Sequence, residues 1–206
     1  MAASCQLYLS VPAGFSGEPA LIAESLAITQ APSLLIVGEG DPKRVAAIID
    51  AAHRQNAIVL TDDRVMLTAA GRFDGLHLPL GGMGVAEARE LVGGDGVIGV
   101  ECRLSRHEAM SLAEAGADYI AFGSGGEGVA ELAEMASWWG DLIEIPCAVY
   151  LPGDAGEAAW QELAAAGADF VMPGAEIWEQ PEQARERLRR LALYCGAGQA
   201  RGPASG

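Results

Sequence analysis

The chain has 206 residues, half of them hydrophobic, and a formal net charge of −15. A protein that binds nucleic acid must neutralise phosphates with a basic surface, so this charge argues against a nucleic-acid partner. No apolar run approaches the ~20 residues that a membrane helix needs, and the N-terminus lacks the basic and apolar regions of a signal peptide. We therefore expect a cytoplasmic protein with no membrane partner.

Eight short apolar runs alternate with stretches of helical length along the chain. Each run is about as long as a buried strand and is rich in β-branched or aromatic residues. Strands that alternate with helices pair in parallel, because each return to the sheet needs a crossover. Eight such units predict a compact, single-domain α/β fold, the (β/α)8 TIM barrel. The predicted strands are Gln6–Val11, Ser33–Val37, Ala57–Thr61, Phe73–Leu78, Gly96–Val100, Asp118–Gly123, Pro146–Leu151 and Asp169–Gly174.

We expect the barrel to span residues 1–195, and the Gly- and Ala-rich segment 196–206 to be a disordered tail. Helix-start signals support this arrangement. Asp41 followed by Pro42 is typical of a helix N-terminus, and Ser105 with Glu108 forms a capping box. The only lysine, Lys43, falls in the first turn of an outer helix. A Schiff-base mechanism, which needs a lysine inside the barrel, is therefore excluded.

The four cysteines have no metal-ligand spacing, and we expect reduced, buried thiols. Oxygen ligands occur elsewhere: Asp62 and Asp63 end the third predicted strand. Adjacent strand residues point to opposite faces, so one carboxylate could face the barrel mouth and bind Mg²⁺. The alternative is that both carboxylates only cap the following helix.

Three further side chains at strand ends could carry chemistry, since TIM barrels place their active sites in the loops after the strands. His77 could act as an acid, a base or a hydrogen-bond donor, or could be a hydrogen-bonded core histidine. Glu101 and Arg103 lie two residues apart and share a face if the strand extends that far. They could hold a polar ligand group or merely neutralise one another.

Two glycine-containing loops are candidates for phosphate binding. Gly174 and Ala175 precede the last helix, where backbone amides can bind an anion, and Gly123 with Ser124 follows the sixth predicted strand. Glu176 would compete with an anionic ligand at the first of these loops.

With these residues in place, the chain resembles the thiamine phosphate synthase family and its relative, the thiazole tautomerase. The matching segments occur in family order and spacing, at residues 60–65, 74–78, 98–100, 114–120 and 165–171. The resemblance implies a TIM barrel that couples hydroxymethylpyrimidine pyrophosphate to thiazole phosphate with Mg²⁺, expelling pyrophosphate. It also implies a small phosphorylated metabolite as ligand and assembly into a homo-oligomer.

The family's working residues are matched only in part. Asp63 matches the first Mg²⁺-binding Asp, and Asp62 stands where the family usually has Asn. Of the family's Gln-Leu-Arg-Glu-Lys segment, residues 36–40 keep only Glu39, which remains a candidate for substrate binding. The second metal-binding Asp falls near Gly82, and the Thr-x-Thr-Lys loop reads Gly-Gly-Glu-Gly at 125–128. The tautomerase's histidine falls near Arg103 or Leu104, so that activity is not expected.

Replacing Arg and Lys by Gly removes two cations from an acidic mouth. A hydrogen bond to a charged group contributes about 1.5–3 kcal/mol. Losing several such bonds would abolish the family's reaction. Three hypotheses therefore stay open: a synthase with a rearranged site, a non-catalytic metabolite-binding or regulatory barrel, and a different enzyme that acts at the same acidic mouth.

Overall fold

A computed structural model describes residues 5–62, 72–151 and 155–197 of the chain. The described strands form one parallel sheet that closes on itself. Its first two strands are consecutive halves of one extended segment: β1 pairs with the last strand, and β2 pairs with the third. The predicted (β/α)8 barrel is thereby confirmed. The strands are β1 (Gln6–Leu7), β2 (Leu9–Pro12), β3 (Ser33–Val37), β4 (Ile58–Thr61), β5 (Gly75–Leu78), β6 (Val97–Cys102), β7 (Tyr119–Phe122), β8 (Cys147–Leu151) and β9 (Phe170–Pro173).

The described helices pack outside the barrel. They are α1 (Pro19–Thr29), α2 (Pro42–His53), α3 (Val85–Val92), α4 (Arg106–Glu114), α5 (Val129–Leu142), α6 (Glu157–Ala165) and α7 (Pro181–Ala197), with a 3₁₀ helix at Ala175–Trp178. Helix α7 thus includes the first two residues of the segment predicted as a tail, whose remainder lies outside the described residues. None of these helices combines the length and the hydrophobicity needed to cross a lipid bilayer.

The predicted helix starts at Asp41 and Ser105 are confirmed. One carboxylate oxygen of Asp41 accepts hydrogen bonds from the backbone N–H groups of Lys43 and Arg44, at 3.0 and 3.1 Å. The Ser105 hydroxyl accepts one from the N–H of Glu108, at 3.3 Å. Lys43 is exposed on α2, outside the barrel. All four cysteines are free and buried, as expected.

Three aspartates close the barrel end opposite to the mouth. Asp118 and Asp169 each follow a Gly-Ala pair just before a strand, and Asp74 precedes β5. Each carboxylate accepts a hydrogen bond from the backbone N–H of a residue on the preceding strand. This bond gives the amide a partner at the end of the sheet, where the backbone hydrogen bonds between the two strands have not yet begun. The bonds run from Ile98 to Asp118 at 2.7 Å, from Cys147 to Asp169 at 2.9 Å and from Val59 to Asp74 at 2.7 Å.

The strands separate two packed layers. Outward-facing side chains pack against the helices, as Phe122 does against Trp139. Inward-facing side chains fill the barrel with a second cluster: Tyr8, Leu35, Leu60, Tyr119, Ala121, Ala148 and Met172. Gly99 makes room in this interior, because a Cβ built on it would lie 1.9 Å from the Tyr119 ring. The polar groups described next therefore lie inside a closed, well-packed barrel.

We expect Gly99→Ala to lower the free energy of unfolding by about 1–3 kcal/mol, because its methyl group displaces the Tyr119 ring. Chemical denaturation measures this change. Gly94→Ala is the matched control, since a Cβ there meets no atom within 4 Å. It should change stability by less than about 0.5 kcal/mol. Equal effects of the two substitutions would show that Tyr119 is not held as described.

Candidate active site

A continuous chain of polar side chains crosses the barrel interior. The Tyr8 and Tyr119 hydroxyl oxygens lie 2.9 Å apart, and the Tyr119 hydroxyl lies 2.6 Å from His77 Nδ1. On the other side of the ring, His77 Nε2 lies 2.9 Å from the Tyr150 hydroxyl and 3.5 Å from Glu101 Oε1. His77 is therefore the centre of the chain, and both of its ring nitrogens are engaged.

Burial sets the protonation of the tyrosines in this chain. The pKa of Tyr119 is raised well above its ordinary value, first by desolvation and then by the neighbouring Tyr8. Desolvation also raises the pKa of Tyr8, and the pKa of Tyr150 rises through desolvation and the Glu101 charge. All three hydroxyls consequently keep their protons at neutral pH.

Glu101 is the last member of this series of polar side chains, on the side of the barrel mouth. Burial raises the pKa of its carboxyl group, but hydrogen bonds and the charge of His77, the Leu80 N–H and the Ser124 side chain together outweigh burial. The net pKa lies below the ordinary value. The Leu80 N–H donates to Oε2 at 3.2 Å. Glu101 is therefore an ionised, largely buried acceptor at neutral pH.

A cleft of about 670 Å³ opens at the carboxyl ends of β7, β8 and β9. This is the end of the barrel where TIM-barrel enzymes have their active sites. Tyr150 belongs to both the cleft wall and the interior chain, so the cleft and the barrel interior are connected. The cleft is lined by Gly123, Ser124, Gly126, Glu127, Tyr150, Leu151, Gly174, Glu176, Glu179 and Arg187.

Carboxylates of the protein itself lie against the loops of this cleft. Glu127 accepts a hydrogen bond from the Gly125 N–H at 3.0 Å, and Glu131 accepts one from the Gly128 N–H at 3.1 Å. A Cβ built on Gly174 would lie 2.1 Å from a carboxylate oxygen of Glu176, so Glu176 covers that glycine. Backbone positions expected to receive phosphate are thus adjacent to negative charge.

The expected Mg²⁺ site is described only in part. Asp62 is buried, and its Oδ2 accepts a hydrogen bond from the Gly38 N–H at 2.8 Å, which ties the end of β4 to the loop after β3. Asp63 lies outside the described residues. Across 5–62, 72–151 and 155–197, no group of three or more His, Cys, Asp or Glu side chains is arranged to hold a metal ion. The Mg²⁺ site stays a prediction that depends on Asp63.

The structure brings some predicted site residues together and leaves others apart. His77 and Glu101 meet inside the barrel, and Ser124 reaches Glu101 from the cleft. Arg103 is exposed, because β6 ends at Cys102 before the alternation would turn it inward. Glu39 is exposed on the loop after β3. Gly123 and Gly174 line the cleft, and Ala175 begins the 3₁₀ helix beside it.

Four residues of the site were not identified from the sequence. Tyr8, Tyr119 and Tyr150 face inward, a direction that strand alternation could have indicated once one inward residue was known. Arg187 reaches the cleft from α7. Arginines and carboxylates alternate along that helix, a pattern that in the sequence alone is typical of a solvated outer face.

The chain belongs to the thiamine phosphate synthase family. The family described as thiamine monophosphate synthase matches residues 42–177. A thiamine-phosphate synthase of Rhodospirillum centenum is 33% identical over 190 residues, which is 86% of this chain and 91% of the relative. One of Erythrobacter litoralis is 36% identical over 144 residues, 66% of each chain. The expected family membership is therefore confirmed.

A solved structure supports the same fold. The thiamine phosphate pyrophosphorylase of Pyrococcus furiosus superposes with a TM-score of 0.76, covering 95% of this chain and 98% of that one at 20% identity. At this identity the likeness establishes the barrel architecture alone.

Glu101→Gln tests the ionised state of the carboxylate. A group whose pKa is lowered in the folded state stabilises the fold above its unfolded pKa, and this contribution is lost as the pH falls through the folded-state pKa. We expect Glu101→Gln to reduce the free energy of unfolding by about 1–3 kcal/mol at neutral pH. The deficit should shrink as the pH falls below the ordinary value of 4.5.

Denaturation of both proteins at a series of pH values measures this difference. The control is Glu114→Gln, an exposed residue at the end of α4. Its curve should stay parallel to that of the wild type. A deficit for Glu101→Gln that does not change with pH would contradict the assignment.

Proposed function

We propose that the protein is a metabolite-binding member of the thiamine phosphate synthase family whose mouth takes a neutral or cationic nitrogen heterocycle carrying at most one phosphate. Thiamine phosphate, which combines a cationic thiazolium, an aminopyrimidine and one phosphate, is such a ligand. The observation that carries the proposal is the charge of the cleft: Glu127, Glu176 and Glu179 line it with Arg187.

A diphosphate would meet repulsion here. Two like unit charges 4 Å apart repel by about 4 kcal/mol at an effective dielectric constant of about 20. Phosphate-binding loops normally offer free backbone N–H groups to the anion. In the loop after β7, beside this cleft, the Gly125 N–H already donates to Glu127. A diphosphate must displace that carboxylate as well as overcome its charge.

A cationic or neutral heterocycle meets the opposite conditions. Glu101 and the cleft carboxylates favour positive charge, and the Tyr150 and Ser124 hydroxyls offer hydrogen bonds. Arg187 supplies one guanidinium group, enough to pair with a single phosphate. The arrangement therefore suits a ligand with a positive ring and one negative end.

The family's coupling reaction is the second candidate. The presence of Arg187 in the cleft favours it, because this cation partly replaces the Arg and Lys missing from the loop after β3. Asp63, with Asp62, would hold the Mg²⁺ that neutralises pyrophosphate in such a reaction. Its difficulty is that no other arginine or lysine lines the cleft among the described residues.

Incubation with both synthase substrates and Mg²⁺ separates the two candidates. We expect no thiamine phosphate above the uncatalysed rate, and calorimetric binding of thiamine phosphate but not of hydroxymethylpyrimidine pyrophosphate. Product that disappears in Asp63→Ala would establish the coupling reaction instead. Failure of thiamine, thiamine phosphate and the pyrimidine alcohol to bind would overturn the proposal.

Charge neutralisation provides a second test of the same cleft. The double variant Glu127→Gln/Glu176→Gln should bind hydroxymethylpyrimidine pyrophosphate at least about tenfold more tightly than the wild type does, a change of about 1.4 kcal/mol. Glu90→Gln/Glu114→Gln changes the net charge equally at exposed positions near the ends of α3 and α4. It should leave the affinity within about twofold. Equal gains in both variants would show that net charge, not the cleft, controls binding.

A further inference from the structure

Two buried cysteines meet at the end of the barrel opposite to the mouth. Cys5 directly precedes β1, and Cys195 lies in the last turn of α7. A helix that connects parallel strands runs back against the strand direction, so the end of α7 reaches the level at which β1 begins. Helix α7 also packs directly on β1. The topology therefore brings together two thiols that lie near opposite ends of the sequence.

The two side chains share one apolar environment. Both belong to the buried cluster between the sheet and the helices. The Cys5 thiol forms a hydrogen bond with the Cys195 thiol, and this bond, together with desolvation, raises the pKa of Cys5. A thiol is a weak donor and its sulfur a weak acceptor. Little hydrogen bonding is therefore lost when the two S–H groups are replaced by one S–S bond.

The other two cysteines have different surroundings. Cys102 lies at the carboxyl end of β6, on the mouth side of the barrel, and its thiol donates to the Ser105 carbonyl at 4.0 Å. Cys147 begins β8 at the same end as Cys5, but its thiol forms a hydrogen bond with Asp169. Cys5 and Cys195 are therefore the pair of thiols that is arranged to react with each other.

We propose that Cys5 and Cys195 are a redox-modification site, at which a small disulfide such as oxidised glutathione converts the two thiols into an intramolecular disulfide that joins the first strand to the last helix and stabilises the closed barrel. This proposal does not depend on the proposed function, because the two thiols lie at the end of the barrel opposite to the cleft.

The reaction consists of two thiol–disulfide exchanges. One cysteine thiolate attacks the small disulfide, forms a mixed disulfide with it and releases one thiolate of the reagent. The second cysteine thiolate then attacks the protein sulfur of the mixed disulfide and releases the other thiolate of the reagent. Two protein thiols are oxidised, one small disulfide is reduced, and the two protons pass to the released thiolates.

Local opening gives the reagent access to these thiols. The thiolate is the nucleophile and burial disfavours it, so the cysteines react only while β1 or the end of α7 is separated from its neighbours. The exchange is therefore slow in the folded protein. The product opposes further opening, because a cross-link that closes a long loop restricts the unfolded ensemble. Oxidation thus suppresses the same motion that permits it.

Peptide mapping tests the pairing on the wild type alone. The reduced protein is equilibrated with oxidised glutathione, and the remaining thiols are alkylated under denaturing conditions. We expect two of the four cysteines to be alkylated, a monomer on a non-reducing gel and a linked peptide that contains Cys5 and Cys195. Four free thiols, a persistent glutathione adduct, a cross-linked dimer or a link to Cys147 would overturn the proposal.

Thermal unfolding tests the consequence for stability. The oxidised wild type should unfold about 5–15 °C above the reduced protein, and dithiothreitol should reverse this shift. Cys102→Ala is the matched control and should form the same disulfide with the same shift. Cys195→Ala should form no intramolecular disulfide and show no upward shift. An oxidised wild type that unfolds at or below the temperature of the reduced protein would overturn the stabilisation, whatever the mapping shows.

Discussion

The first extended segment pairs on both of its edges, with β9 over Gln6–Leu7 and with β3 over Leu9–Pro12. Between the two halves, the Tyr8 N–H donates to the Val171 carbonyl at 3.1 Å, and the Ser10 hydroxyl then donates to the Pro173 carbonyl at 3.1 Å. This double pairing removes both edges of the sheet. It also carries the Tyr8 side chain into the closed interior, where water is excluded and a hydroxyl needs a protein partner. The interior polar chain follows from that closure.

The features that could be predicted are those set by residues close together in the sequence, and the features that could not are set by contacts between distant segments. The eight strands were predictable because buried parallel strands read as short apolar runs, and the starts of α2 and α4 because Asp41 and Ser105 act on amides two or three residues away. The inward direction of Tyr150 could not be predicted, because its apolar run is buried on both faces and does not indicate which face lines the barrel interior. The position of Arg187 depends on how α7 docks, which its own sequence does not show. The sequence leaves open how far the strand before Arg103 extends, and β6 ends at Cys102.

The fold and the chemistry of this barrel depend on different residues. The matched family segments lie largely on strands and at strand starts, where Asp118 and Asp169 pair backbone amides and hold the barrel end together. Cation-bearing loops at the opposite end contribute little to closure, so they can change without loss of the fold. At the mouth of this barrel, the Glu127 carboxylate accepts the Gly125 N–H of the loop after β7. The carboxylates that line the cleft therefore lie at the end of the barrel that contributes less to closure.

A buried polar chain is stabilising only when each of its members is satisfied, because an unpaired group in a low-dielectric interior costs more than an apolar replacement. In this barrel the condition is met from Tyr8 to Glu101, and Gly99 supplies the space that the Tyr119 ring needs. Of the two ends of this polar series, Tyr8 is buried, and the Glu101 carboxylate beside the cleft is 16% exposed to solvent. Any ligand group that reaches this carboxylate acts on the last member of a cooperative series. The packing of the barrel centre and the charge at its mouth are therefore linked, and His77, which contacts both Tyr119 and Glu101, is the link between them.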